Sequence, residues 1–348
     1  MTKTDDAIHT LLFETSPYGN VDAIVEHDGR AVYFYLNGRD GIGTRACWVR
    51  NLVVGPLAFN QSDMESGISP VLPRIFCRKA EPGVVPRDQD LTILWLAEGN
   101  GAALFERDEL LAVIPPWSGQ DQFHGYARDC ASTNIICWPL PSEPQLLQRI
   151  AASREFWNRW GANRLFAEIQ SQQIELYEQR FGKMRLYFAI DGGKFPQRGM
   201  GEFAAEHFVY LATIGMSLCP QPNVELFVDN PTATRRIELG LRLPINSSAT
   251  VVEQAAGLIS GLAGSPWRLW SWFGHRHTCE FALSSTHKQA ALLADSKLTA
   301  GSGEESPPGW GLPAIDGDLV NLLWVVPIDS QKFQRLRSGQ WHDSDLAL

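Results

Sequence analysis

His275, His277 and Cys279 are spaced two apart, so on extended backbone their side chains leave one face. With His287 as a fourth ligand, that face would suit a soft metal such as zinc. No second ligand cluster at a zinc-type spacing accompanies them, so they read as residues of a strand entering a sheet, and no metal is assigned. A second candidate, Gly215-Met216-Ser217-Leu218-Cys219, follows a strand as the nucleophile elbow of a hydrolase does. That motif needs glycine at its last position and a helix after the serine. Here Cys219-Pro220-Gln221-Pro222 follows, and the prolines stop such a helix. Ser217 is therefore read as a turn residue, and a small hydrolase using Ser217 or Cys219 with a spatially close histidine such as His207 is kept as the alternative reading. Gly99-Asn100-Gly101 has the glycines of a phosphate cradle, but a strand follows where a helix is needed, so it is a hairpin turn. Glu206, Glu225, Asp229 and Glu238 have no spacing that pairs them for acid–base work. Neither a catalytic set nor a cofactor is assigned.

The elements that would position these residues fall into two groups. Up to residue 141 the chain reads as a β-rich domain: DAIVEH and AVYFYL flank Asp28-Gly29, TILWLAE and AALFER flank Gly99-Asn100-Gly101, ELLAVIP follows, and ACWVRNL is a further strand. Residues 67–87 are rich in proline and glycine and read as an irregular excursion. From Ser142 the period changes. Leu146, Leu147, Ile150, Phe156 and Trp160 recur at helical intervals after an N-cap at Ser142 and Pro144 in the first turn, and residues 142–162 read as a helical join. Residues 163–348 read as an α/β domain. It opens with a helix from Asn163 to Phe181 that Gly182 ends, with Leu165, Phe166, Ile169, Leu176, Tyr177 and Phe181 on one stripe. MRLYFAID, HFVYLATI, VELFVD, RRIELGLRL, CEFALSS and LVNLLWVVP read as strands. In RRIELGLRL, Ile237, Leu239, Leu241 and Leu243 alternate with Arg236, Glu238 and Arg242, which predicts one buried and one wet face. Thr250 with Glu253 is a capping box opening a helix to about Leu262. A last helix runs from Asp329 or Ser330 through Phe333 and Leu336 to Gly339. Residues 298–313 read as a polar, mobile loop. The fold class is α+β.

The 348 residues exceed one comfortable core, and 44% hydrophobic with 20% charged residues describe a folded chain. A net charge of -9 argues against a nucleic-acid backbone as partner and favours a protein, in particular a basic one. The opening MTKTDDAIHTLLFETSPYGN lacks the plan of a signal peptide and no stretch has the apolar length of a membrane span, so a cytoplasmic location is expected. Six cysteines without a CxxC pair fit reduced, buried thiols. Of twelve tryptophans, Trp267, Trp270 and Trp272 lie within six residues, and Trp310, Trp324 and Trp341 could gather near them. Exposed tryptophans beside a groove would anchor a protein partner; Trp310, Trp267 and Trp270 are the candidates.

Three blocks carry a resemblance. They are HFVYLATIGMS at His207 to Ser217 running on to VELFVD, GLISGLAGSPWRLWSWFGHRHTCEF at Gly257 to Phe281, and VNLLWVVPIDSQKFQRLRSGQWHDSDL at Val320 to Leu346. In this order and spacing the C-terminal half, from about Asn163, resembles the suppressor-of-fused (SUFU) family. The resemblance implies a mixed-sheet domain packed with helices and binding of a protein without catalysis, and it supplies no catalytic residues. The positions matching the family, His207, Gly215, Ser217, Glu225 and Pro327, are a fold signature without an assigned chemical role. Eukaryotic members sequester a transcription factor; the chain differs from them in its N-terminal region and in having no matching additional C-terminal domain, so that partner does not carry over. It is similar instead to bacterial SUFU-like proteins, for which gene neighbourhoods suggest an immunity role, neutralising toxins of polymorphic toxin systems by contact.

Overall fold

Hairpin chemistry builds the first half of the chain. In a computed structural model, which describes residues 8–140, 144–161, 165–284, 287–295 and 311–340, Gly29 takes φ 81° between β2 (Val21–His27) and β3 (Ala31–Gly38). With β1 (His9–Thr15) and β4 (Gly43–Asn51) these strands form an antiparallel sheet in chain order. An excursion with the short helix α1 (Gln61–Glu65) leads to a second sheet, ordered β5-β6-β7-β8-β9: Leu91–Trp95, Ala102–Glu106, Glu109–Ile114, Tyr126–Ala127 and Trp138–Pro139. Leu146 and Ile150 of α2 (Pro144–Gly161) pack onto Leu96, Ala103, Phe105 and Val113, so this helix, read from the sequence as a join, shares the core of the second sheet. Leu147 of the same apolar set is exposed, and Ser142 lies outside the described residues.

The chain divides into two compact units, Met1–Asn158 and Arg159–Leu348. The second is a seven-stranded sheet ordered β10-β11-β12-β13-β16-β15-β14. Its strands are β10 Met184–Ala189, β11 Gly199–Ala204, β12 Phe208–Ile214, β13 Arg236–Pro244, β14 Thr278–Glu280, β15 Gln289–Ala294 and β16 Val320–Ile328. All pair antiparallel except β13 with β16, which makes the sheet mixed. Helix α3 (Leu165–Phe181) lays Tyr177 and Phe181 on Phe203, Ile214, Leu293 and Trp324, while α4 (Ala249–Ala263) contacts β12 and β13. The short α5 (Ser265–Leu269) and the closing α6 (Ser330–Arg337, capped by Asp329 and followed by Gly339 at φ 71°) complete the unit.

Four sequence expectations change here. VELFVD is not a strand: Asn223 at φ 64° starts a single 3-10 turn, Val224–Leu226. CEFALSS yields only the three residues of β14. Helix α4 is capped by Ser248, whose side chain accepts from the Val251 amide, so Thr250 lies inside it. The alternation of β13 is real, but its polar face is not wet: Glu238 is buried under Gln173 of α3, and Arg236 is buried against the carbonyls of Ser217 and Leu218 and the carboxylate of Asp318. Pro327 sits in β16 opposite Ala290 and beyond the stretch, Val320–Trp324, that pairs with β13, so its missing N–H costs no bond to β13. No helix among the described residues is long and apolar enough to cross a membrane.

Candidate functional site

The signature residues at the end of β12 belong to a buried polar clamp. The turn begins at Gly215, whose φ of 83° and close approach to Phe166 leave no room for a side chain. Gln173, on the buried face of α3, accepts from the Gly215 amide at 2.8 Å and donates to Ser217 Oγ and Glu238 Oε1, both at 3.0 Å. Glu238 Oε1 also accepts from the Ser217 amide at 2.9 Å and from Ser217 Oγ at 2.6 Å, and its other oxygen accepts from Thr213 Oγ1 at 2.7 Å. From the same face of β13, Arg236 donates to the carbonyls of Ser217 and Leu218 and pairs with Asp318 and Asp316. The turn is thus held through its amides by Glu238 and Gln173 and through its carbonyls by Arg236. Arg235 and Arg159 extend the pairing, and the Arg159 hydrogen bond foremost holds the Asp316 carboxyl below its ordinary value. Burial pushes the Glu238 carboxyl up, against the four hydrogen bonds that pull it down.

This clamp does not assemble the hydrolase alternative. Ser217 is 0% exposed and committed to Glu238 and Gln173, and Cys219 is buried beside it. His207 stands exposed at the opposite end of β12, near Glu206, and seven strand residues place it roughly 23 Å away. The metal reading fares likewise. His275 Nδ1 accepts from the Ala294 amide, His277 Nδ1 faces the Trp272 carbonyl, and no group of three His, Cys, Asp or Glu among the described residues could hold a metal ion.

The tryptophans divide. Trp267 and Trp270 are interior residues, a correction to their reading as exposed anchors: Trp267 donates its ring N–H to the Pro220 carbonyl, and Trp270 caps α5 at φ 48° with its carbonyl taking the Asn223 amide. Gln221 pairs with both backbone groups of Phe273. These bonds tie residues 220–223 to 267–273 and fix what emerges at the surface. Phe227, 69% exposed, stacks on half-buried Trp272 with ring centres 6.3 Å apart and planes at 22°. His277 meets Trp272 edge-on at 4.3 Å, and burial lowers its pKa. Gly274 is needed beside them, since a Cβ would strike the Trp272 ring. Sequence reading missed Phe227 because it lay in a segment taken as a strand. Glu225 sits in the turn before it; Trp310 and Trp341 lie outside the described residues.

Residues 196–343 match the family model of the suppressor of fused protein (SUFU). That stretch of the chain is similar to a SUFU domain. The match takes in the turn at Gly215 and Ser217, all of β13 and the Phe227–Trp272 stack. Three chains of solved structures match. One is in the Sufu–Fu complex crystal structure, with 12% identity, a TM-score of 0.33, and coverage of 51% of this chain and 79% of that one. No curated protein matches.

Proposed function

We propose that this protein is a non-catalytic protein-binding module of the immunity type, neutralising a basic toxin by direct contact. The observation that carries the reading is the Phe227–Trp272 stack within the stretch that matches the SUFU family model. Leaving a phenylalanine 69% in water forgoes its burial, which a partner covering it would recover, and aromatic anchors of this kind dominate interface energies. The match to the SUFU family model supports a protein ligand, and a net charge of -9 favours a basic partner. An extended segment of that partner has an open edge in β10, which among the described strands pairs with β11 alone and exposes Leu186 and Tyr187. The test is co-expression with the products of adjacent genes and binding measurements on intact protein. Phe227→Ala is expected to weaken binding at least tenfold, about 1.4 kcal/mol or more, and the association rate should fall with salt. Leu186→Glu tests the edge separately. Recovery of no protein partner, or wild-type affinity in Phe227→Ala, would count against the reading.

A further inference from the structure

Four of the six cysteines, Cys47, Cys77, Cys130 and Cys137, fall in the N-terminal unit, and two of them are arranged differently from the rest. Cys130 and Cys137 bracket a surface segment whose residues Ala131, Ser132, Thr133 and Ile135 are exposed, while both thiols lie buried beneath it. Asn134 reaches down between them. Its Nδ2 lies 3.4 Å from Cys130 Sγ and 3.6 Å from Cys137 Sγ, and its Oδ1 takes the amides of Ile136 and Cys137. Asn134 thus contacts both sulfurs at once, and Cys130 Sγ also reaches the carbonyls of Ser132 at 3.2 Å and Cys137 at 3.8 Å. The backbone around the pair is anchored, the Arg78 guanidinium donating to the Cys130 carbonyl and the Ala131 amide to the Phe76 carbonyl.

We propose that Cys130 and Cys137 form a dithiol oxidation site, converted to a disulfide by a hydroperoxide and restored by a dithiol reductant. Cys130 is the attacking sulfur. The neighbouring Cys137 foremost, with Asn134 and the charge of Arg78, holds its pKa below the ordinary value, whereas burial pushes Cys137 up. The other two offer no such nucleophile, since burial raises Cys77 to about 11 and Cys47 further still. In the first step the Cys130 thiolate attacks the peroxide, the O–O bond breaks, and the proton that the thiol gave up goes to the departing oxygen, leaving Cys130 as sulfenic acid. The Cys137 sulfur then attacks the Cys130 sulfur, the S–O bond breaks, and water leaves with the Cys137 proton. Two thiols lose two electrons, and hydrogen peroxide gains them to become two waters. Access needs the exposed segment from Ser132 to Ile135 to lift; it lies outside every strand and is held by the Asn134 amide on the Cys137 carbonyl, while the Ala131 amide bond to Phe76 anchors its start.

Intact folded protein is treated with hydrogen peroxide, then alkylated, digested with trypsin and weighed. Both cysteines lie in one tryptic peptide, Asp129 to Arg149, so the proposed bond appears as that peptide with two hydrogens lost and no alkyl group, reversed by dithiothreitol. Cys137→Ser should leave a Cys130 sulfenic acid that a dimedone-type probe captures, and Cys130→Ser should abolish both products. Asn134→Asp keeps the acceptor for the two amides but removes the N–H groups from both sulfurs, and peroxide should oxidise it about tenfold more slowly. The proposal is overturned if the peptide stays doubly alkylated, if Cys77 cross-links to Cys130 instead, or if Cys137 rather than Cys130 forms the sulfenic acid. An Asn134→Asp rate equal to wild type removes the amide from the mechanism.

Discussion

Glu238 is fully buried and still accepts four hydrogen bonds, so two opposing effects meet on one carboxyl, and burial wins. A carboxyl whose folded pKa is raised lends stability below its ordinary value of 4.5, and that contribution is lost as pH rises through the folded value. Glu238→Gln keeps an acceptor for Ser217 and Gln173 without a charge to bury, so wild type should lose stability relative to this variant as pH rises above 4.5. Denaturant titrations across pH check this; a constant difference would refute it. Glu238→Ala strands the Ser217 amide and the Gln173 side chain in the interior and should cost about 3 kcal/mol or more. At this scale the sequence marks Ser217 as a turn residue and Gly215 with it as part of a fold signature, and leaves Glu238 without a partner. The residues that complete the clamp, Gln173, Thr213, Arg236 and Asp318, come from four separate segments. No spacing in sequence brings together groups 19 to 82 residues apart.

Phe181 closes α3 and is the centre of an aromatic cluster, 4.7 Å from Tyr210 and 5.6 Å from both Tyr177 and Trp324. Its truncation removes contacts with β12 and β16 at once, and Phe181→Ala is expected to cost about 3–5 kcal/mol, read as a lower denaturation midpoint with unchanged slope. Elements with clear period and punctuation were legible: α3 ends at Gly182, α6 starts at Asp329, and the Asp28-Gly29 and Gly99–Gly101 hairpins form as read. What was not legible has a tertiary cause. QAALLA carries helix-forming alanine and leucine yet is strand β15, because β16 lies beside it and both its faces are buried. GMGEFA carries two glycines and is strand β11, held between β10 and β12; at Gly201 a side chain would strike Phe203. In both segments neighbours supply what local preference withholds.

Each unit of the chain has its own apolar cluster. Leu96, Ala103, Phe105, Val113, Leu146 and Ile150 fall within the first, and the Tyr177–Phe181–Trp324 cluster within the second. Cooperativity follows shared burial, so residues that contribute to separate cores need not unfold together. We therefore expect calorimetry of the intact protein to show two transitions, assigned by one truncation in each core. Ile150→Ala should lower one by the equivalent of about 2–5 kcal/mol and leave the other in place, and Phe181→Ala should do the reverse. The assignment also gives the partner experiment its reading: a ligand that binds through Phe227 and Trp272 stabilises the fold it contacts, so it should raise the transition that Phe181→Ala lowers. A single transition moved by both truncations would show that the chain unfolds as one body, and a partner that raised only the transition sensitive to Ile150→Ala would place its contacts on the first unit.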